Sequence, residues 1–153
     1  MCALSPRSRR AAASSEAPRV GMWSFCGGSL ELGETIVECA VREALEETGL
    51  QLRRRPGDAP LFSADLQHPT AFAAVDVMDR APDGRLAFHY VIVEVAAVPE
   101  DPGAEPTPGD DADAAAWFPV HELRGLAGLV PRGADVAEEA VRRFRIVGHE
   151  PPE

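Results

Sequence analysis

Three carboxylates are the side chains in this sequence best placed to do chemistry: Glu43, Glu46 and Glu47, at i, i+3 and i+4. That spacing brings side chains close together on a helix, where like charges repel. A purely structural helix would intersperse lysines. This one offers only Arg42, flanked at i−4 and i+4 by Glu38 and Glu46. A weakly neutralised cluster of hard oxygen donors suits Mg²⁺, or Mn²⁺ in its place. Taken alone, the same cluster also describes a solvated acidic helix face, so the surrounding residues must decide.

The element that positions the carboxylates is an amphipathic helix. At about 100° per residue, Ile36, Val37, Ala40, Val41, Ala44, Leu45 and Thr48 are expected on one half of the cylinder. Glu43, Glu46 and Glu47 are expected on the other half, beside Arg42 and Glu38. Thr35 with Glu38 three residues on is a capping box, and Gly49 fits the left-handed position that ends a helix. Gly27 and Gly28, ahead of the helix, permit backbone geometry closed to other residues.

The full pattern is Gly28, five residues, Glu34, seven residues, Arg42-Glu43, the aliphatic Ala44, one residue, Glu46-Glu47, one residue, Gly49, and the aliphatic Leu50. Seven fixed positions at ordinary frequencies of about 6% each match by chance on the order of once in 10⁹ start sites. The chain resembles the Nudix hydrolases, and Gly28 to Leu50 is a complete Nudix box. A looser resemblance rests on Trp23, Ser24 and Phe25 before the Gly pair, and on Phe88, His89, Tyr90 and Val91 on a later strand. These look like the ADP-ribose pyrophosphatase branch.

The resemblance implies an α/β protein: an α/β/α sandwich around a mixed β-sheet. It implies metal-dependent hydrolysis of the pyrophosphate bond in a nucleoside diphosphate linked to another moiety, such as ADP-ribose or a related nucleotide sugar. The alternatives are a nucleoside triphosphate pyrophosphatase that clears damaged nucleotides and an inactive binding module. The implied metal set is the Gly28 carbonyl with Glu43, Glu46 and Glu47. Arg42 would position the glutamates, Glu34 would support them, and Glu43 would serve as ligand or base. A later acidic loop, with Asp110, Asp111 and Asp113, offers rival bases, although an ordinary solvated loop explains those residues equally well.

The 153 residues carry a formal net charge of −10. That disfavours nucleic acid as a partner, since its binding wants a basic footprint. An anionic substrate would also be repelled without an intervening cation. No run approaches the ~20 apolar residues of a membrane span. The partner expected is a small nucleotide, with homodimerisation left open. Three cysteines, Cys2, Cys26 and Cys39, lack zinc-site spacing and read as reduced thiols. Cys39 reads as a small filler on the helix. A cytoplasmic location is expected, with mitochondrial or chloroplast targeting left open by residues 1–18. That stretch, rich in Ala, Ser and Arg, reads as a disordered or transit-like leader ahead of one domain over 19–150.

The family's usual N-terminal strand has no convincing counterpart, so either the leader supplies a poor strand or the strand is missing. Arg19 to Phe25 reads as a short strand, with Cys26 where the family usually has Pro. Arg53, Arg54 and Arg55 form the only basic run, either solvated or facing phosphate. Thr70 to Met78 and Leu86 to Val98 read as strands around Pro82-Asp83-Gly84. The second, apolar on both alternating sets, is expected to be buried on both faces. Its Glu94 faces either water or a substrate cleft, and His89 reads as a packing histidine. Trp117 is expected in the core. Asp135 to Ile146 reads as the last helix, with Asp135 as N-cap.

Overall fold

Thr35 opens the expected helix. Its side chain accepts a hydrogen bond from the Glu38 N–H, and the Glu38 carboxylate accepts one from the Thr35 N–H. Helix α1 runs Ile36–Thr48 and ends at Gly49, in left-handed backbone at φ 67°. The structure is a computed structural model that describes residues 2–6 (backbone only), 21–54, 66–109 and 112–144. Arg19, Val20, Arg55, Asp110 and Asp111 lie outside the described residues, as do 7–18 of the expected leader.

The strands are β1 (Cys2–Pro6), β2 (Trp23–Ser24), β3 (Thr70–Arg80), β4 (Leu86–Ala96) and β5 (Ala116–Phe118). A 3₁₀ turn (Val120–Gly125) and helix α2 (Gly133–Phe144) complete the order. Strand β1 lies between β2 and β5 and pairs antiparallel with both; β3 and β4 form a separate antiparallel ribbon. The one parallel pairing among the described residues is a bridge from Trp23 to Leu129. The leader thus supplies a strand. Of the two expectations, a poor strand in the leader or a missing strand, the first holds: the backbone of residues 2–6 fills ladder positions beside two short neighbours.

The core sits under α2. Val120, Leu123, Ala134 and Ala137 are buried together, with Trp23, Phe25, Phe118, Leu126, Leu129 and Val141 packed against them. Trp23 meets Phe118 edge to face at 5.0 Å, and Phe72 of β3 meets Phe144 of α2 at 5.9 Å. Helix α1 lies against β1, β3 and β4. Trp117 is half-buried, and its indole N–H donates to the Ala104 carbonyl at 2.9 Å.

Three expectations are corrected. Strand β4 is not buried on both faces: Tyr90 is 50% and Val91 66% exposed. Among the described residues it pairs with β3 alone, so no sheet covers it. His89 is not a packing residue. It lies exposed on the ribbon, with Nε2 3.0 Å from Asp76 Oδ1. The short strand expected over Arg19 to Phe25 is confined, within the described residues, to Trp23–Ser24.

Candidate active site

Arg42 gathers the acidic residues around itself. Its Nε and NH2 nitrogens donate to the two carboxylate oxygens of Glu34, at 2.8 and 3.0 Å. Its NH1 donates to Glu43 at 2.9 Å and to Glu46 at 3.0 Å, and NH2 also reaches the Ser29 carbonyl at 3.2 Å. The two-pronged contact uses the planar fork of a guanidinium, which a lysine could not copy. Glu34 comes from the loop before α1 and is fixed a second time by the Glu31 N–H at 3.0 Å. The Arg42 hydrogen bond, then that N–H, hold the Glu34 carboxyl down to about 2. The same partners, Glu34 foremost, raise the Arg42 guanidinium far above its usual range.

The three glutamates do not share one environment. Glu46 is exposed, the Glu43 side chain is mostly covered, and Glu47 is buried at 1% exposure. The expectation that Glu47 lies opposite the apolar half is corrected. At 3.6 residues per turn it falls only about 20° from Ala40. The buried face is Cys39, Ala44, Glu47 and Thr48, while Ile36 and Leu45 are exposed.

Gly28 touches this cluster directly, for a Cβ there would overlap the Glu43 carboxylate. The glycine is required by close approach, which packs its backbone against an acid of α1. Cys39 ties the same loop to the helix, its Sγ lying 3.9 Å from the Gly28 carbonyl and 3.7 Å from that of Ser29. Burial, followed by the Glu34 charge, pushes its thiol up, so it is a packed filler and a poor nucleophile.

The loop after β4 docks on the far end of α1, a contact the sequence reading missed. The Thr107 N–H donates to the Thr48 carbonyl at 2.9 Å, and the Gly109 N–H donates to the Glu47 carbonyl at 3.1 Å. These satisfy carbonyls that a helix end leaves open. A Cβ at Gly109 would overlap the Glu46 carbonyl oxygen. Only the glycine itself hints at this in sequence. The docking carries the chain to α1 immediately before Asp110 and Asp111. Asp113 is exposed, and so are Arg53 and Arg54.

The donors suit a hard cation by type: three glutamates, a glycine packed on one of them, and no lysine. Among the described residues, however, no three His, Cys, Asp or Glu side chains are gathered about one point. Arg42 occupies Glu43 and Glu46, so a cation would bind by taking oxygens from the guanidinium.

The NUDIX domain model matches residues 7–144, and the chain belongs to the Nudix family. It is 31% identical over 110 residues to an ADP-ribose pyrophosphatase of Methanocaldococcus jannaschii, covering 72% of this chain and 53% of that protein. The chain therefore spans about half the length of that relative. It is also 31% identical over 129 residues to an RNA pyrophosphohydrolase of Rhizobium meliloti, covering 80% of this chain and 72% of that one. The crystal structure of a Nudix hydrolase from M. smegmatis, RenU, has a similar fold. Its TM-score is 0.50 at 20% identity, over 99% of this chain and 78% of that one. The α/β class stands. Enzymes of this family generally use divalent metal ions and act on small nucleotides. No described helix is long and apolar enough to cross a membrane.

Proposed function

We propose that this chain hydrolyses the pyrophosphate bond of a nucleoside diphosphate linked to another moiety, with ADP-ribose or a related nucleotide sugar as substrate. The carrying observation is the Arg42 cluster. One guanidinium holds Glu34, Glu43 and Glu46 together, with Gly28 packed on Glu43.

Gly28, Glu46 and Glu47 would hold the divalent ion, Mg²⁺ or Mn²⁺, with Glu43 as a further ligand or as the base. When bound, it neutralises the pyrophosphate and lowers the pKa of water. Glu43 accepts the proton of the attacking water, in competition with Asp110, Asp111 or Asp113. The water oxygen bonds to one phosphorus, the anhydride P–O bond breaks, and the other phosphate leaves. ADP-ribose gives AMP and ribose 5-phosphate. Arg42 orients Glu43 and Glu46, and Glu34 orients Arg42. The partner is a small nucleotide rather than a nucleic acid, in keeping with the net charge of −10. A cytoplasmic location and one catalytic domain, which takes in strand β1 of the expected leader, complete the reading.

The test is hydrolysis of a panel with Mg²⁺: ADP-ribose, NADH, diadenosine polyphosphates, oxidised dGTP and RNA with a 5′ phosphoanhydride end. Turnover of ADP-ribose, lost in Glu47→Gln, supports the reading; turnover of another member alone replaces the substrate. A binding module without hydrolysis is the second reading. It is favoured by one observation, that Arg42 already occupies Glu43 and Glu46. A Mg²⁺-dependent rise in Tm that Glu46→Gln abolishes would count against it.

A further inference from the structure

A second feature lies outside the carboxylate cluster. A cavity of about 260 Å³ opens between the β3–β4 ribbon, the segment around Phe25 and the start of α2. Phe25, Val77, Ile92 and Val136 give it apolar walls, and Glu94 and Arg132 also line it. Phe25 is three residues from Gly28, so the cavity adjoins the loop packed on Glu43. Small-molecule sites are mostly apolar hollows with a few placed polar groups.

Two backbone irregularities flank this cavity. The ribbon slips register between Ala71 and Ala73, next to the Ala73–Glu94 pair. Such bulges re-aim side chains and are common beside active sites. On the opposite wall, Arg132 sits in left-handed backbone at φ 67°. A non-glycine residue there stores strain, a trait concentrated at ligand sites. Glu94 makes no hydrogen bond or ion pair to another described residue, whereas the neighbouring Asp76 is taken by His89.

We propose that this cavity seats the adenine of the substrate and that Glu94 is the residue that reads its edge. The cavity itself is independent of the hydrolase reading, which supplies only the identity of the nucleotide. Burial raises the Glu94 carboxyl above the ordinary carboxylate range. The charged residues that line the cavity with it are Asp76 on the ribbon and Arg132 before α2; His89, paired with Asp76, lies on the opposite face of β4. The Phe25 segment and the first turn of α2 contribute Phe25, Gly133 and Val136, which carry no charge. A neutral carboxyl offers one donor and one acceptor. Glutamine has the same pairing, which matches the N6 amino group and N7 of adenine. An ionised carboxylate only accepts, and suits the amino group of guanine better. Arg132, with no ion pair to a described residue, keeps an anionic ligand from being repelled.

The test is calorimetric titration of AMP and of GMP into the metal-free protein at the lower and upper ends of a pH series that runs upward from the ordinary carboxylate range. Wild type is expected to prefer AMP about tenfold at the lower pH and to lose that preference at the higher. Glu94→Gln, neutral at both, keeps the preference at both, and Glu94→Ala has none. A preference that persists in Glu94→Ala, or a folded wild type that binds no AMP, overturns the proposal. Turnover of ADP-ribose with a base preference indifferent to Glu94 sinks the cavity reading alone. A Glu94-dependent preference without turnover sinks the hydrolase reading alone.

Discussion

Helices α1 and α2 are built from the same charged residue types and do opposite things with them. On α2, Glu138 and Asp135 meet Arg124 of the 3₁₀ turn, and Glu139 meets Arg142, all at the surface. Such pairs are screened and contribute little. On α1 one arginine serves three carboxylates from two segments, with side chains 24% exposed for Arg42 and 12% each for Glu34 and Glu43. The counter-ions of α2 are distributed among its acids, whereas those of α1 are too few. A deficit of positive charge, held in place by backbone contacts, separates the acidic cluster of α1 from the solvated pairs of α2.

The sharpest way to break this comparison is Glu47→Gln. It preserves shape and is expected to lower kcat on ADP-ribose by on the order of 10²–10³ with the fold intact. Full activity would reduce α1 to a second charged helix. Gly28→Ala comes next. The obstacle to its Cβ is a movable carboxylate end, so Tm should hold while kcat/KM falls on the order of 10² from misplacement of Glu43. Gly109→Ala should do the reverse. Its Cβ meets the backbone of α1, and urea unfolding should show a loss of about 1–3 kcal/mol.

The pH dependence of stability gives a smaller effect. Glu34 has its folded pKa depressed to about 2 from 4.5, chiefly by Arg42. The stabilisation it gives is complete above 4.5 and is lost as pH falls towards 2. Tm measured across that window should drop less steeply in Arg42→Ala than in wild type. The smallest effect is expected at α2, where Arg124→Ala should leave both kcat and Tm near wild type. A large loss of activity there would erase the distinction between the helices.

The carboxylate helix was legible because its signals are local. The capping box, Gly49 and the spacing of Glu34, Arg42, Glu43 and Glu46 all lie within 23 residues and appear in place. The partners of that helix were not legible. Nothing near Thr107 marks it as a cap for Thr48, and strand β1 has a composition that reads as a leader. Strand β4 misled in the other direction. Its continuous apolar run, Val91 to Val93 above all, reads as a buried centre, yet all three residues are left exposed, Val91 the most at 66%.

Residue types and their spacing along one helix thus determined the family, the helix ends and the acids that Arg42 gathers, because helical geometry repeats every 3.6 residues. Only the tertiary structure decided that Glu47 is buried and Glu46 exposed. It also put Gly28 against Glu43 and left Glu94 facing a cavity. Each of these depends on which surface a neighbouring segment covers. Burial is a property of contacts between distant parts of the chain, and a local pattern does not encode it.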